Sequence, residues 1–285
     1  MFVVFGVTGN TGKVVADTLL SAGKPVRVVV RDAKKGEPWK QKGAEVAVAS
    51  VDDAAAVEAA LRGASGAYVL LPPDYASHTN LADKKRQVDA LVAAIPASGV
   101  GHVVLLSSVG AQHPDGTGPI KSLYDAEKRL SAVGVPMTFL RAPYFMENWA
   151  SVLGPAKAEG KLYATFERSI PMIATKDIGK AAASLLVEGA SKTQIVHLHG
   201  PAEHAPSDVA AALSRLLSRE VTVVLIPKAH RVGALTAAGL TEDLAGLFAE
   251  MGEGVDAGLV AFDASGRDVR GSTTLDEVLR GLLAA

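Results

Sequence analysis

The chain has no cysteine, which excludes disulfides, thiolate metal sites and cysteine nucleophiles. It also lacks an excess of either charge: 29 basic residues stand against 30 acidic ones, and neither sign forms a long run. A surface with so weak a net field does not advertise a nucleic-acid or membrane partner. No uninterrupted apolar span is long enough to cross a bilayer. The first apolar run starts at Phe2, which leaves no room for a cleaved leader. A cytoplasmic protein is the expectation. There is no internal repeat and no low-complexity linker, and 285 residues suffice for one large domain or for one with a smaller appendage.

What is present is concentrated in the first dozen residues. Phe2–Phe5 is an apolar run of the kind that makes a buried strand, Gly6, Gly9 and Gly12 follow, and Lys13–Leu20 reads as a helix. A strand entering a helix through glycines is a phosphate-binding device. The helix start offers unpaired N–H groups and a positive dipole end, and glycine lets the backbone approach a pyrophosphate. A nucleoside-triphosphate loop is excluded, because it needs glycine at position 7 and Ser or Thr at position 14, and both are valine.

Strands are expected at 25–30, 44–49, 66–71, 102–107 and 136–140, with helices near 52–61, 80–97 and 121–133 between them. Lys34, Lys35, Lys40 and Lys42 lie in an expected basic, exposed loop. This alternation predicts an α/β fold, a doubly wound parallel sheet with helices on both faces. Ligands bind such sheets beyond the carboxyl ends of the strands, at the switch point. The second half is less regular: a helix follows Asp177, a strand covers 194–199, another lies near 221–226, and helices cover 207–217, 240–252 and 274–283. The expected division is a nucleotide-binding domain over 1–150, completed by about 176–200 and the C-terminal helix. A small interleaved substrate lobe takes 151–175 and 201–270.

The end of the second strand decides which dinucleotide binds. An acid there bonds a ribose hydroxyl, whereas an arginine accommodates a 2′-phosphate. Arg31 holds that position, Asp32 follows it, and Lys34 and Lys35 are within reach. NADP(H) is therefore favoured over NAD(H), since guanidinium binds phosphate bidentately and always carries its charge.

Four stretches together resemble the NmrA-like atypical short-chain dehydrogenases/reductases. They are Gly6-Val-Thr-Gly-Asn-Thr-Gly12, Arg31, the Leu-Leu-Ser-Ser108 strand end, and Thr138-Phe-Leu-Arg-Ala-Pro-Tyr-Phe-Met-Glu-Asn148; Ile178-Gly179 after Asp177 fits as well. The resemblance covers nearly the whole chain and implies a Rossmann domain and a preference for NADP(H). It also implies one of two functions: an NADPH-dependent reductase of quinones or similar small acceptors, or a redox sensor that binds the nucleotide without turnover. On this reading Gly6, Thr8, Gly9, Asn10, Thr11 and Gly12 hold the pyrophosphate and Arg31 the 2′-phosphate. Backbone near Val51 meets the adenine, while Leu71, Pro72, Pro73, Ser107 and Pro143 line the nicotinamide side. Tyr144, Phe145, Asn148 and Trp149 lie where an acceptor pocket is expected, with core packing the competing role for each. A homodimer or a regulatory protein partner stays open.

Tyr124 and Lys128 match the Tyr-x-x-x-Lys pair of ordinary short-chain reductases, in which an ammonium lowers the pKa of a proton-donating phenol. Register speaks against them. In the relatives resembled, the lysine precedes a helix glutamate by four residues, and counting back from Glu127 reaches Leu123 and, for the tyrosine, Pro119. The pair is expected to face away from the site. His197 and His199 share one face of a strand but have no evident third ligand, so no metal site is expected.

Overall fold

The computed structural model describes residues 1–284. Its first half alternates β1 (Phe2–Phe5), α1 (Asn10–Ser21), β2 (Val26–Val30), α2 (Glu37–Gln41), β3 (Glu45–Val48) and α3 (Ala54–Leu61). It continues with β4 (Gly66–Val69), α4 (Asn80–Ser98), β5 (Val103–Ser108), α5 (Lys121–Leu130) and β6 (Met137–Ala142). Together with β10 (Gln194–His199) and β13 (Arg267–Arg270) these strands form one eight-stranded sheet of order β13-β10-β6-β5-β4-β1-β2-β3, and every pairing in it is parallel. The chain runs outward from β1 through β2 to β3, then returns to β4 on the other side of β1. The switch point therefore lies between β1 and β4, at the glycine turn.

The central strands are apolar on both faces because both faces are covered. Val3, Phe5, Val69, Val103 and Leu105 pack with α3, α4 and α5, whereas Val4, Val28, Tyr68 and Val104 pack with α1 and α7 (Thr175–Glu188). Helices α1 and α7 lie close together across Gly179, where an added Cβ would stand 2.4 Å from Val14 Cβ. The expected loop after β2 is instead a short 3-10 turn and α2, ordered because Trp39 inserts into the core.

The second half comprises β7 (Tyr144–Phe145), α6 (Leu153–Glu159), β8 (Lys161–Ala164), β9 (Ile170–Ile173), α7, β10 (Gln194–His199) and β11 (Glu203–His204). After these come α8 (Pro206–Leu217), β12 (Thr222–Leu225), α9 (Arg231–Ala237), α10 (Glu242–Asp256), β13 (Arg267–Arg270) and α11 (Leu275–Ala284). A third core gathers Met146, Trp149, Leu162, Phe166, Met172, Leu213 and Leu279. Two small sheets accompany it, β11-β9-β7 and β12-β8. Two boundaries need correction: α11, expected to complete the nucleotide-binding domain, packs Leu275, Val278 and Leu279 into this third core, and Arg267–Arg270, expected in the lobe, pairs in parallel with β10 at the edge of the main sheet. Its sequence, Arg-Asp-Val-Arg, hides the strand because an edge strand buries little.

Two carboxylates join these parts. Glu147 accepts bonds from the Thr175 N–H at 2.9 Å and the Thr175 hydroxyl at 2.6 Å, capping the start of α7. Buried Asp177 accepts from the N–H groups of Ser272 and Thr273 and from the Thr273 hydroxyl, fixing the turn between β13 and α11. No helix among the described residues is long and apolar enough to cross a membrane.

Candidate cofactor and acceptor site

The three glycines of the first turn have different physical reasons. Gly6 has φ +70°, where L side chains are strained. At Gly12 a Cβ would come within 2.5 Å of the Gly6 carbonyl oxygen, so only glycine lets α1 lie against β1. Gly9 is different: its φ is −101°, and a Cβ would meet nothing closer than 3.4 Å. The fold itself does not demand glycine there, but a group seated on the helix start would. Helix α1 carries no side-chain cap at Gly9, which leaves its first N–H groups directed at that space. Thr8, Gly9 and Asn10 are exposed around it. This cradle fits a pyrophosphate.

Thr11, expected among the phosphate contacts, turns its side chain inward instead. It is buried, and its hydroxyl accepts a 2.9 Å bond from the Tyr68 hydroxyl of β4. Burial drives the Tyr68 phenol far above its ordinary pKa, against the smaller opposing effect of the Thr11 bond, so it remains a neutral donor. Thr11 thus ties the helix start to the sheet.

At the end of β2, Arg31 is exposed and makes no ion pair or hydrogen bond among the described residues. The Asp32 carboxylate is committed elsewhere, accepting the Lys34 N–H at 3.0 Å as the cap of the following turn. The position therefore presents a free guanidinium, as a 2′-phosphate requires. Val51 is buried beyond β3, and Asp53 caps α3 through the Ala56 N–H.

Strand β4 ends at Val69, and Leu70 lies against the glycine turn: a Cβ on Gly6 would stand 2.5 Å from Leu70 Cδ2. Leu71, Pro72 and Pro73 follow, and buried Lys84 of α4 donates to the Pro72 carbonyl. Burial pushes the Lys84 ammonium down to about 8, against the opposing pull of Asp74 and Asp83. Helix α10 bridges the connections that follow β4 and β5. At its start Asp243 accepts the Asn80 N–H at 2.9 Å and the Thr241 hydroxyl donates to the Ser77 carbonyl. In its later turns Glu250 accepts from the Gly116 N–H at 3.0 Å and pairs with Lys121 at 2.7 Å.

Ser107 sits in a buried polar network. Its buried hydroxyl donates to Glu127 at 2.5 Å, and Glu127 forms a two-pronged pair with Arg141 at 3.0 and 2.6 Å. Arg141 also reaches Asp263 at 3.0 Å. Burial works against the Arg141 charge, but the bonds and field of Glu127 and Asp263 outweigh it and raise its pKa. This buried network locks α5 onto β5 and β6 and leaves the Ser107 hydroxyl engaged. Tyr124 and Lys128 line a cleft of about 420 Å³ together with Glu127, Arg141, Gln194 and Ser265, and no residue of the glycine turn or the β4 end lines it. The Lys128 ammonium lies 5.9 Å from the Tyr124 ring centroid. His197 and His199 share the expected face and flank the Phe262 ring, with centroid distances of 5.1 and 4.1 Å. His199 also pairs with Asp268 at 2.7 Å.

Past β6, Pro143 is buried, and Tyr144 stacks with Trp149 and Phe166 at centroid distances of 5.7 Å each. Trp149 is an anchor of the lobe, not a pocket wall: it is 2% exposed and its indole N–H points to Met172 sulfur at 3.5 Å. Tyr144 and Phe145 are half-buried and Asn148 is exposed. Burial raises the Tyr144 phenol well above its ordinary pKa, so it can donate but not ionise near neutrality. Sequence reasoning missed Lys84 and the Thr11–Tyr68 tie. No local signal marks either one, since each partner is remote in sequence or a backbone carbonyl.

The NAD(P)H azoreductase of Xenophilus azovorans is 28% identical over 253 residues, covering 88% of this chain and 86% of that protein. Quinone oxidoreductase 2 of Escherichia coli K12 is 25% identical, with 90% and 89% covered. The crystal structure of an NADPH-dependent quinone oxidoreductase from E. coli complexed with NADPH superimposes with a TM-score of 0.82 at 24% identity, over 99% of this chain and 100% of that one, and so shares the fold. The sequence profile of the NmrA-like family matches residues 1–277, and the protein belongs to that family.

Proposed function

We propose that the protein is an NADPH-dependent reductase whose acceptor is a small, flat, electron-poor molecule such as a quinone. The observation that carries this reading is the pairing of the uncapped start of α1 at Gly9 with the unpartnered guanidinium of Arg31. The two lie at the ends of neighbouring strands, which is the pattern that pyrophosphate and 2′-phosphate recognition requires. The relatives named above support the chemistry, since azo and quinone groups are both flat, conjugated electron acceptors.

NADPH supplies the hydride when bound. The backbone N–H groups after Gly9 hold the pyrophosphate, Arg31 selects the phosphorylated ribose, and the β4 end with Pro143 shapes the nicotinamide side. Helix α10 bridges the walls of this region and restricts water. Tyr144, Phe145 and Asn148 would line the acceptor side and orient the acceptor. The proton that completes the reduction is assigned to solvent, because the cleft of Tyr124 and Lys128 includes no residue of the glycine turn or the β4 end and the Ser107 hydroxyl is held by Glu127. The protein's contribution is then orientation and an apolar surround more than acid–base chemistry.

NADPH oxidation followed by absorbance over a panel of quinones tests this reading. Saturable turnover is the expected result. Tight NADPH binding with no turnover on any acceptor would overturn it in favour of a nucleotide-binding redox sensor.

A further inference from the structure

Lys84 is the one lysine among the buried residues, 7% exposed, in a chain whose other lysines reach solvent. Ammonium groups are seldom buried, because leaving water is costly unless a partner compensates. Here the hydrogen-bond partner is not a carboxylate but the Pro72 carbonyl. The reason lies in the segment it holds. Ladder pairing of β4 ends at Tyr68 toward β1 and at Val69 toward β5. Beyond it stand Pro72 and Pro73, which have no N–H to donate and offer only carbonyls to whatever fixes them. The same connection is secured farther on. The hydroxyls of Ser77 and Thr79 donate to Asp83, the Ser77 carbonyl accepts from Thr241, and Asn80 donates to Asp243. At its near end, Leu70 presses on Gly6 of the glycine turn. The stretch that Lys84 holds is therefore adjacent to the nucleotide cradle, between it and α10.

We propose that Lys84 is a positioning residue. Its ammonium fixes the Leu71–Pro73 backbone as the wall against which the nicotinamide half of NADP(H) packs, and it makes no contribution to the adenosine half. This rests on the reductase reading for the identity of the nucleotide.

The experiment compares NADPH with adenosine 2′,5′-bisphosphate, which carries only the adenosine and 2′-phosphate end, in fluorescence titrations of the full chain. Lys84→Met keeps the apolar stem and removes the charge. It is expected to weaken NADPH binding about tenfold, the effect of losing one charge-assisted hydrogen bond. Binding of the bisphosphate should not change, and Lys84→Arg should restore NADPH affinity. Unchanged NADPH affinity in Lys84→Met overturns the proposal, and so does an equal loss for both ligands. All readouts are binding equilibria, so a lack of turnover counts against the reductase reading alone, and wild-type affinities in Lys84→Met count against Lys84 alone.

Discussion

Arg31 and Asp32 stand side by side at the end of β2, and only their side-chain commitments separate NADP from NAD chemistry. Asp32 closes its own turn on Lys34, whereas Arg31 is left facing solvent without a partner. Replacing Arg31 with glutamate removes a charge-assisted phosphate contact and adds a repulsion. NADPH affinity should fall by roughly 2–3 kcal/mol, or about thirty- to a hundred-and-fiftyfold, while NADH affinity changes little. Titration of both nucleotides checks this, and equal losses would remove the 2′-phosphate from Arg31. Both residues were legible in the sequence as candidates. The choice between them rested on strand-end position, and the cap at Asp32 supplies its physical reason.

At the scale of the element, α5 shows how a motif can match in sequence and miss in space. Tyr124 and Lys128 share one turn and one face, as the pattern requires, but Glu127 faces the sheet and is clamped by Arg141 and Ser107. That clamp fixes the rotation of the helix, and the pair shares its cleft with Glu127 and Arg141 as well as Gln194 and Ser265, none of them on the glycine turn or the β4 end. Tyr124→Phe should therefore leave NADPH turnover within about twofold of wild type, measured with the best quinone of the panel. A loss of a hundredfold or more, the range of a true acid–base group, would show that the phenol reaches the reacting atoms. The lobe elements were less legible: β7, β9 and β11 are two to four residues long, too short for any periodicity to declare itself.

For the molecule as a whole, two histidines are buried in the main sheet, His102 at the entry to β5 and His197 in β10. Burial holds the imidazoles of His102 and His197 below their ordinary pKa. The unfolded chain therefore takes up protons first as the pH drops below the ordinary histidine value of 6.5, and each proton taken up favours unfolding. The thermal midpoint should fall between about pH 7 and about pH 5, before carboxylates titrate. Asp263 acts lower down. Burial raises its pKa, but bonds from Ser265 and Arg141 outweigh that and hold it below its ordinary value, so its stabilisation is lost only in stronger acid. Melting curves of wild type and of a His102→Gln, His197→Gln double variant check the assignment; an equal fall in both would place the pH dependence elsewhere.

The sequence by itself determined the alternation of strands and helices, the glycine turn at the first strand end and the arginine at the second. Each of these is encoded locally, in apolar runs, in glycine spacing and in a residue next to a strand end. Tertiary structure alone decided the rest. Thr11 turned inward because Tyr68, 57 positions away, needed a buried partner. Trp149 left the pocket for the lobe core, Arg267–Arg270 joined the main sheet, and Lys84 found the Pro72 carbonyl. Burial and long-range pairing are properties of the packed chain, and no short window of residues contains them.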